Sequence, residues 1–249
     1  MRDFFTFFKD IQDMKLPFFA FSIYHILFLG MAITLIICLY RHYGTLNETG
    51  QRKFQVGMAI YFLIEEAIYT LWLLLVCHED VWLQILPLEL CSVCAYMNAL
   101  TVYVRKDHLR FFSGVVGLIA GSVAMIYPAN ISGLYPVMSY RTINFYMLHA
   151  SFILFSLIQL RDKSLLSYRY VKHNYVLLAC MFSVAFTVNV MYHTQYMFVG
   201  VPPQISFIAS LYQLTGILFF LPVILLILFV LQYIVVFILR WLFKYPGIR

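Results

Sequence analysis

Charge is scarce in this chain: only 11% of its 249 residues are Asp, Glu, Lys or Arg, while 63% are hydrophobic and the mean hydropathy is +0.86. So little polar material cannot cover the surface of a soluble domain of this size, which excludes a water-soluble enzyme or binding module. Low-complexity segments, internal repeats and long polar stretches are also missing, so neither a repeat array nor a large extramembrane domain is expected. No H-x-x-E-H or H-E-x-x-H spacing occurs, so a zinc site built from His25, His149, His193 and a glutamate has no local motif behind it. No metal or other cofactor is expected. The basic excess, a formal charge of +6, is scattered through short loops, so nucleic acid is not the expected partner and the cations read as topology signals.

What the chain does have is apolar runs. Seven are long enough to span a bilayer at about 20 residues each, near 18–40, 54–76, 85–104, 109–127, 142–160, 174–195 and 214–239. The expected fold is all-α: a polytopic membrane helical bundle with seven transmembrane helices in one domain over 18–249, multi-pass in the cell membrane. Pro202-Pro203 breaks the chain, and Ile205 to Gly216 reads as a separate short helix before the last span. Seven spans put thirteen of the seventeen Lys and Arg on one side and leave Arg2, Lys9, Lys15 and Arg141 on the other. By the positive-inside rule the N-terminus is outside and the C-terminus cytoplasmic. The first seventeen residues, "MRDFFTFFKDIQDMKLP", place Phe4, Phe8 and Ile11 at helical spacing among Asp3, Lys9, Asp10 and Asp13, as an interfacial amphipathic helix on the outer leaflet would.

Polar residues inside the spans are costly in lipid, so each needs a partner or a task. Counted inward from the outer ends, His25, Cys91 and His149 each lie about seven residues, or about 10 Å, deep at 1.5 Å per residue. Asn189 reaches a similar level, Glu65 and Glu66 lie slightly deeper, and Gln213 begins the last span near the same height. In the third span Pro87, Cys91, Cys94 and Asn98 form one helical stripe, with Glu89 pointing elsewhere. Taken singly, a membrane thiol is ordinarily a small apolar filler and a membrane histidine an interhelical hydrogen-bond partner. Together in one sheltered layer, a thiol and an imidazole are the minimal set for nucleophilic catalysis, with a third polar group to orient the ring.

The stretches "LPLELC", "NFYMLHASFI", "FSIYH" and "VNVMYHTQYMFVGVPP" resemble the YwaF family of bacterial integral membrane proteins, related to eukaryotic membrane acyltransferases that act on ether phospholipids through a cysteine and histidine pair. The resemblance spans nearly the whole chain. It implies Cys91 as nucleophile, His149 as base, and phospholipids and lysophospholipids as substrates. His25, Glu65, Glu66, Asn98 and Asn189 are expected in support, as ring orienters or oxyanion donors, and Glu89, His193, Gln195, Tyr196 and Gln213 toward the substrate. The chain departs from the bacterial relatives at Glu89, where they carry histidine, and at Gln195, where they carry asparagine before the tyrosine.

Three other classes compete. A lipid hydrolase shares the first half-reaction. Cys91 and Cys94 form a C-x-x-C, as in membrane dithiol oxidoreductases, but those relay electrons through a second exposed pair and here only Cys77 is near the outer surface. A proton-coupled small-molecule transporter centred on Glu65 and Glu66 is the strongest non-enzyme reading.

Overall fold

The computed structural model describes residues 4–8, 11, 14–77 and 81–243. Seven long helices run in order: α1 (Ile23–Thr45), α2 (Glu48–Val76), α3 (Leu90–Val104), α4 (Asp107–Ile126), α5 (Tyr140–Gln159), α6 (Tyr168–Tyr192) and α7 (Ser206–Leu242). Among the described residues no strand accompanies them, only an isolated bridge between Pro17 and Pro136. Six of the seven are long and apolar enough to cross a membrane; α3, with 15 residues, is the exception.

Short polar residues start four of the helices by accepting orphan backbone N–H groups. Ser22 caps α1 through His25 N, Asn47 caps α2 through Gly50 N, Ser139 caps α5 through Thr142 N and Ser167 caps α6 through Arg169 N. The break expected before the last span is at Gly216, whose φ of 65° and ψ of 172° interrupt α7.

Helix α5 is the axis of the bundle, with 72% of its apolar window buried, against 6% for α7, which lies against α6 on the periphery. The most extensive packing joins α4 to α5. It depends on small residues: a Cβ at Gly117 would lie 2.7 Å from Ser156 Oγ, and one at Gly121 would lie 2.9 Å from the His149 carbonyl oxygen. A π-helical turn at Phe112–Val116 widens α4 at this contact. There Ser156 Oγ donates to Ser113 O at 2.6 Å, and the Thr101 and Ser113 hydroxyls share a hydrogen bond at 2.9 Å, tying α3, α4 and α5 together.

One end of the bundle is closed by connecting chain. Phe18 N donates to Tyr135 O, Val137 N to Leu16 O, Tyr140 N to Phe4 O, and Trp72 Nε1 to Phe5 O at 2.7 Å. Phe7, Phe18, Ile131 and Tyr135 are buried there. The α-helix expected over the first seventeen residues is not formed by its described part: Phe4 and Phe5 are bent, Phe8 is in a 3₁₀ turn whose carbonyl accepts Ile11 N, and Lys15 to Pro17 run as a bend into an isolated bridge. Phe7 finds a better partner in the Trp72 ring, 6.0 Å away, than in a lipid surface. Asp3, Lys9, Asp10 and Asp13 lie outside the described residues, as do Arg2, Lys244 and Arg249 of the charge count.

Candidate functional site

Helix α3 begins later than the apolar run predicts. Ile85 to Glu89 are not helical, so Pro87 precedes the helix and is not part of a helical stripe with Cys91, which falls in the first turn. The helix start is nonetheless inside the protein, for Ser92 and Cys94 are buried and Cys91 is half-buried. Glu89 is the N-cap residue but makes no side-chain cap bond; its carboxylate turns to the 3₁₀ turn Tyr196–Phe198 and accepts the Met197 N–H at 3.3 Å. That turn folds over the start of α3, with Tyr196, Met197 and Val199 buried.

The centre of the polar network is Arg141, in the first turn of α5. Its guanidinium stands over the Tyr69 ring at 4.5 Å, and Tyr69 in turn stacks on Trp72 at 5.7 Å. The charge of Arg141 acts on Glu66 of α2, Glu89 and Cys91 of the α3 start, and Tyr135 and Tyr140. Ser92 meets Glu66 from α3. Among the described residues no hydrogen bond or ion pair holds the Arg141 guanidinium, and the buried hydroxyls of Tyr140 and Tyr196 also have no hydrogen-bond partner. Such groups retain hydrogen-bonding capacity for a further partner, an ordered water included.

His149 is buried deeper on α5, two turns beyond Arg141, which still acts on it electrostatically. Its Nδ1 lies 2.6 Å from Phe145 O, to which it donates; Nε2 therefore carries the lone pair. Phe145 and Phe152 flank the ring. No hydrogen bond joins the Cys91 thiol to this imidazole. The TMEM164 family profile matches residues 18–233, a span that includes every member of this network.

The chain belongs to the TMEM164 family.

This is a family of membrane proteins, and the likeness read from the four sequence stretches is shown at that level. No curated protein and no solved structure matches the chain.

The other residues singled out in this TMEM164-family chain divide sharply. Glu65 and Glu66, adjacent in sequence, diverge by about 100° around α2: Glu66 joins the Arg141 network, whereas Glu65 accepts from Asn144 Nδ2 of α5 and neighbours Tyr61. His25 is fully engaged elsewhere. Its Nδ1 accepts the Phe21 N–H and its Nε2 donates to Met125 O, both at 2.8 Å, so it fastens α1 to α4 and has no nitrogen left to orient His149. Asn189 clasps the 189–196 turn, donating to Tyr196 O and accepting from Tyr196 N and Thr194 Oγ1. Asn98 sits two turns below Cys91, near Ser156 and Gly117, with both amide atoms unpartnered and too far along the helix to reach an oxyanion formed at Cys91.

Of the substrate-facing set, Glu89 and Tyr196 belong to the network. Gln195 straps the loop instead, donating to Pro202 O and accepting from Gln204 N. His193, a left-handed C-cap of α6, and Gln213 of α7 stand exposed, and neither shares a bond or electrostatic contact with the network among the described residues. Sequence reasoning missed Arg141, which it counted only as a loop cation, along with Tyr69, Ser92, Tyr140 and Asn144. An arginine one residue inside a capped apolar helix, in "SYRTINF", was the available signal.

Proposed function

We propose that this protein is a membrane-embedded acyltransferase that moves a fatty acyl chain between phospholipid and lysophospholipid molecules through a thioester on Cys91, with His149 as general base. The observation that carries this reading is a thiol in the first turn of helix α3 and an imidazole whose Nδ1 donates to Phe145 O, both within reach of the Arg141 charge. In the first step the thiol sulfur bonds to the ester carbonyl carbon, the ester C–O bond breaks, and the proton that left sulfur goes to the departing lysophospholipid oxygen. In the second, the hydroxyl of another lysophospholipid attacks the thioester, giving its proton to His149 and restoring the thiol. The unliganded ring and thiol are not hydrogen-bonded, so proton transfer waits on a bound lipid that bridges them. The unmet Arg141 guanidinium and the Tyr140 and Tyr196 hydroxyls suit the phosphate of the lipid headgroup. Packed chain over the start of α3 excludes water and favours transfer over hydrolysis.

The same reading makes α3 the seventh crossing. Its 15 residues cover about 22 Å at 1.5 Å each, and the non-helical Ile85 to Glu89 supplies the rest. Non-helical backbone is tolerated at that depth because the Tyr196–Phe198 turn covers it. The thiol end then faces outward in a cell membrane and the arginine-rich end faces the cytoplasm. A membrane-impermeant maleimide applied to intact cells is expected to label His193→Cys and not Lys106→Cys, both being exposed positions at opposite ends; the reverse pattern would invert the orientation.

Lipid profiling of cells carrying Cys91→Ser tests the function itself. The expected outcome is accumulation of lysophospholipid and a changed acyl distribution in the two-chain lipids. An unchanged profile would favour a proton-coupled carrier, for which the buried Glu66 and the Glu65 carboxylate facing Asn144 are the specific support.

A further inference from the structure

The end of the bundle opposite Cys91 contains a cavity of about 490 Å³ lined by Gln51, Gln55, Thr101, Arg105, Arg110 and Arg161, with Tyr43 and Asp162 in its walls. An adjoining lobe of about 510 Å³ shares Tyr43, Gln51, Gln55 and Arg105 and adds Arg52, Lys53 and Glu48. Five cations therefore face two carboxylates.

The partners of these groups decide what the cavity can hold. Arg110 is already neutralised: it pairs with Asp162 at 2.9 Å and Asp107 at 3.4 Å and donates to Gln159. Partial burial pushes the Asp162 carboxyl upward, but hydrogen bonds from Ser164 and the Arg110 guanidinium outweigh it and hold the group below the usual carboxylate range, so it stays anionic and keeps Arg110 occupied. Among the described residues, no carboxylate pairs with Arg105 or Arg161. Arg105 is held at the lip by its left-handed backbone, φ 52°, at the end of α3. Arg161 stands over the rings of Tyr43 at 5.3 Å and Tyr40 at 5.8 Å, which orient its fork of donors. Gln51 and Gln55 each use one amide N–H, on Leu46 O and Tyr43 Oη, and each retains a second.

We propose that this cavity binds a phosphate-bearing anion between Arg105 and Arg161. Two guanidinium forks from separate helix ends, with amide donors lining the same cavity, match the several oxygens and the charge of a phosphate monoester better than a single carboxylate. The site is some 22 Å from Cys91, the length of α3, so it is independent of the acyl chemistry. The phosphate comes either from the headgroup of an anionic lipid in the adjoining leaflet or from a soluble compound.

The test uses the full chain in phosphatidylcholine nanodiscs, with thermal unfolding as the readout. One arm replaces a minority of the lipid by phosphatidic acid, and the other adds inorganic phosphate or glycerol 3-phosphate to the buffer. A saturable rise in midpoint is expected in one arm, which names the source. Arg105→Gln with Arg161→Gln is expected to weaken it at least about tenfold, the loss of a charge-assisted bond. The pair Arg169→Gln and Lys172→Gln, exposed cations of α6, and Cys91→Ala are expected to leave it unchanged. If the double glutamine variant unfolds unliganded, Arg105→Lys with Arg161→Lys serves, keeping charge but losing the fork, and a weakened response is again expected. No rise in either arm, or equal loss in the α6 control, would overturn the proposal.

Discussion

Purified protein given a phospholipid donor and no acceptor is expected to gain a hydroxylamine-sensitive acyl mass on Cys91. A transferase of this type must pass its acyl group through the nucleophile, and without an acceptor the thioester has nowhere to go in a site closed to water. Cys91→Ala should abolish both adduct and transfer. Cys94→Ala should leave both largely intact, because that sulfur is wholly buried among core residues while Cys91 is half-buried at the helix start. His149→Ala should slow thioester formation by about 10²–10⁴-fold, the usual contribution of a positioned general base. Its single free nitrogen, fixed by the Phe145 carbonyl, is the atom removed. Mass spectrometry of the intact protein reads every arm. Equal loss from both cysteine variants would point to dithiol chemistry. Discharge of the adduct to free fatty acid alone, with a lysophospholipid acceptor present, would make the protein a lipase.

The second large effect is expected at Arg141, and it separates headgroup recognition from acyl chemistry. Arg141→Gln should lower kcat/KM for a phospholipid donor by about 10- to 100-fold, the worth of a hydrogen bond to a charged group. Adduct formation from an uncharged p-nitrophenyl acyl ester should be nearly unaffected, since that donor has no phosphate to lose. Arg141→Lys should recover part of the phospholipid rate, as a point charge without the bidentate fork would. An equal fall with both donors would mean that Arg141 shapes the network through Tyr69, Glu66 and Glu89 and does not bind phosphate. Wild-type protein that acquires no adduct from either donor would remove the thioester reading itself.

The membrane class, the six long apolar helices and the break before the last span were determined by the sequence alone, since hydropathy over about 20 residues and a glycine or proline are local signals. Cys91 and His149 could also be singled out, because a polar side chain stands out in an apolar run. Counting residues inward could not give depth, because helix starts depend on what covers them. Ile85 to Glu89 runs as bends against the distant Tyr196–Phe198 turn, whose Met197 N–H the Glu89 carboxylate accepts, and Cys91 therefore falls in a first turn and not in a helix middle. The tertiary structure likewise decided which buried polar groups are already paired. His25 and Asn189 are taken up by backbone partners at Phe21, Met125 and Tyr196, and Glu65 by Asn144. Arg141, counted in sequence as one outer cation, is folded under connecting chain into the centre of the network. Hydrophobicity is a property of each residue and can be read in one dimension. Whether a donor is satisfied depends on an acceptor that the fold brings from far along the chain, and only the packed structure contains that pairing.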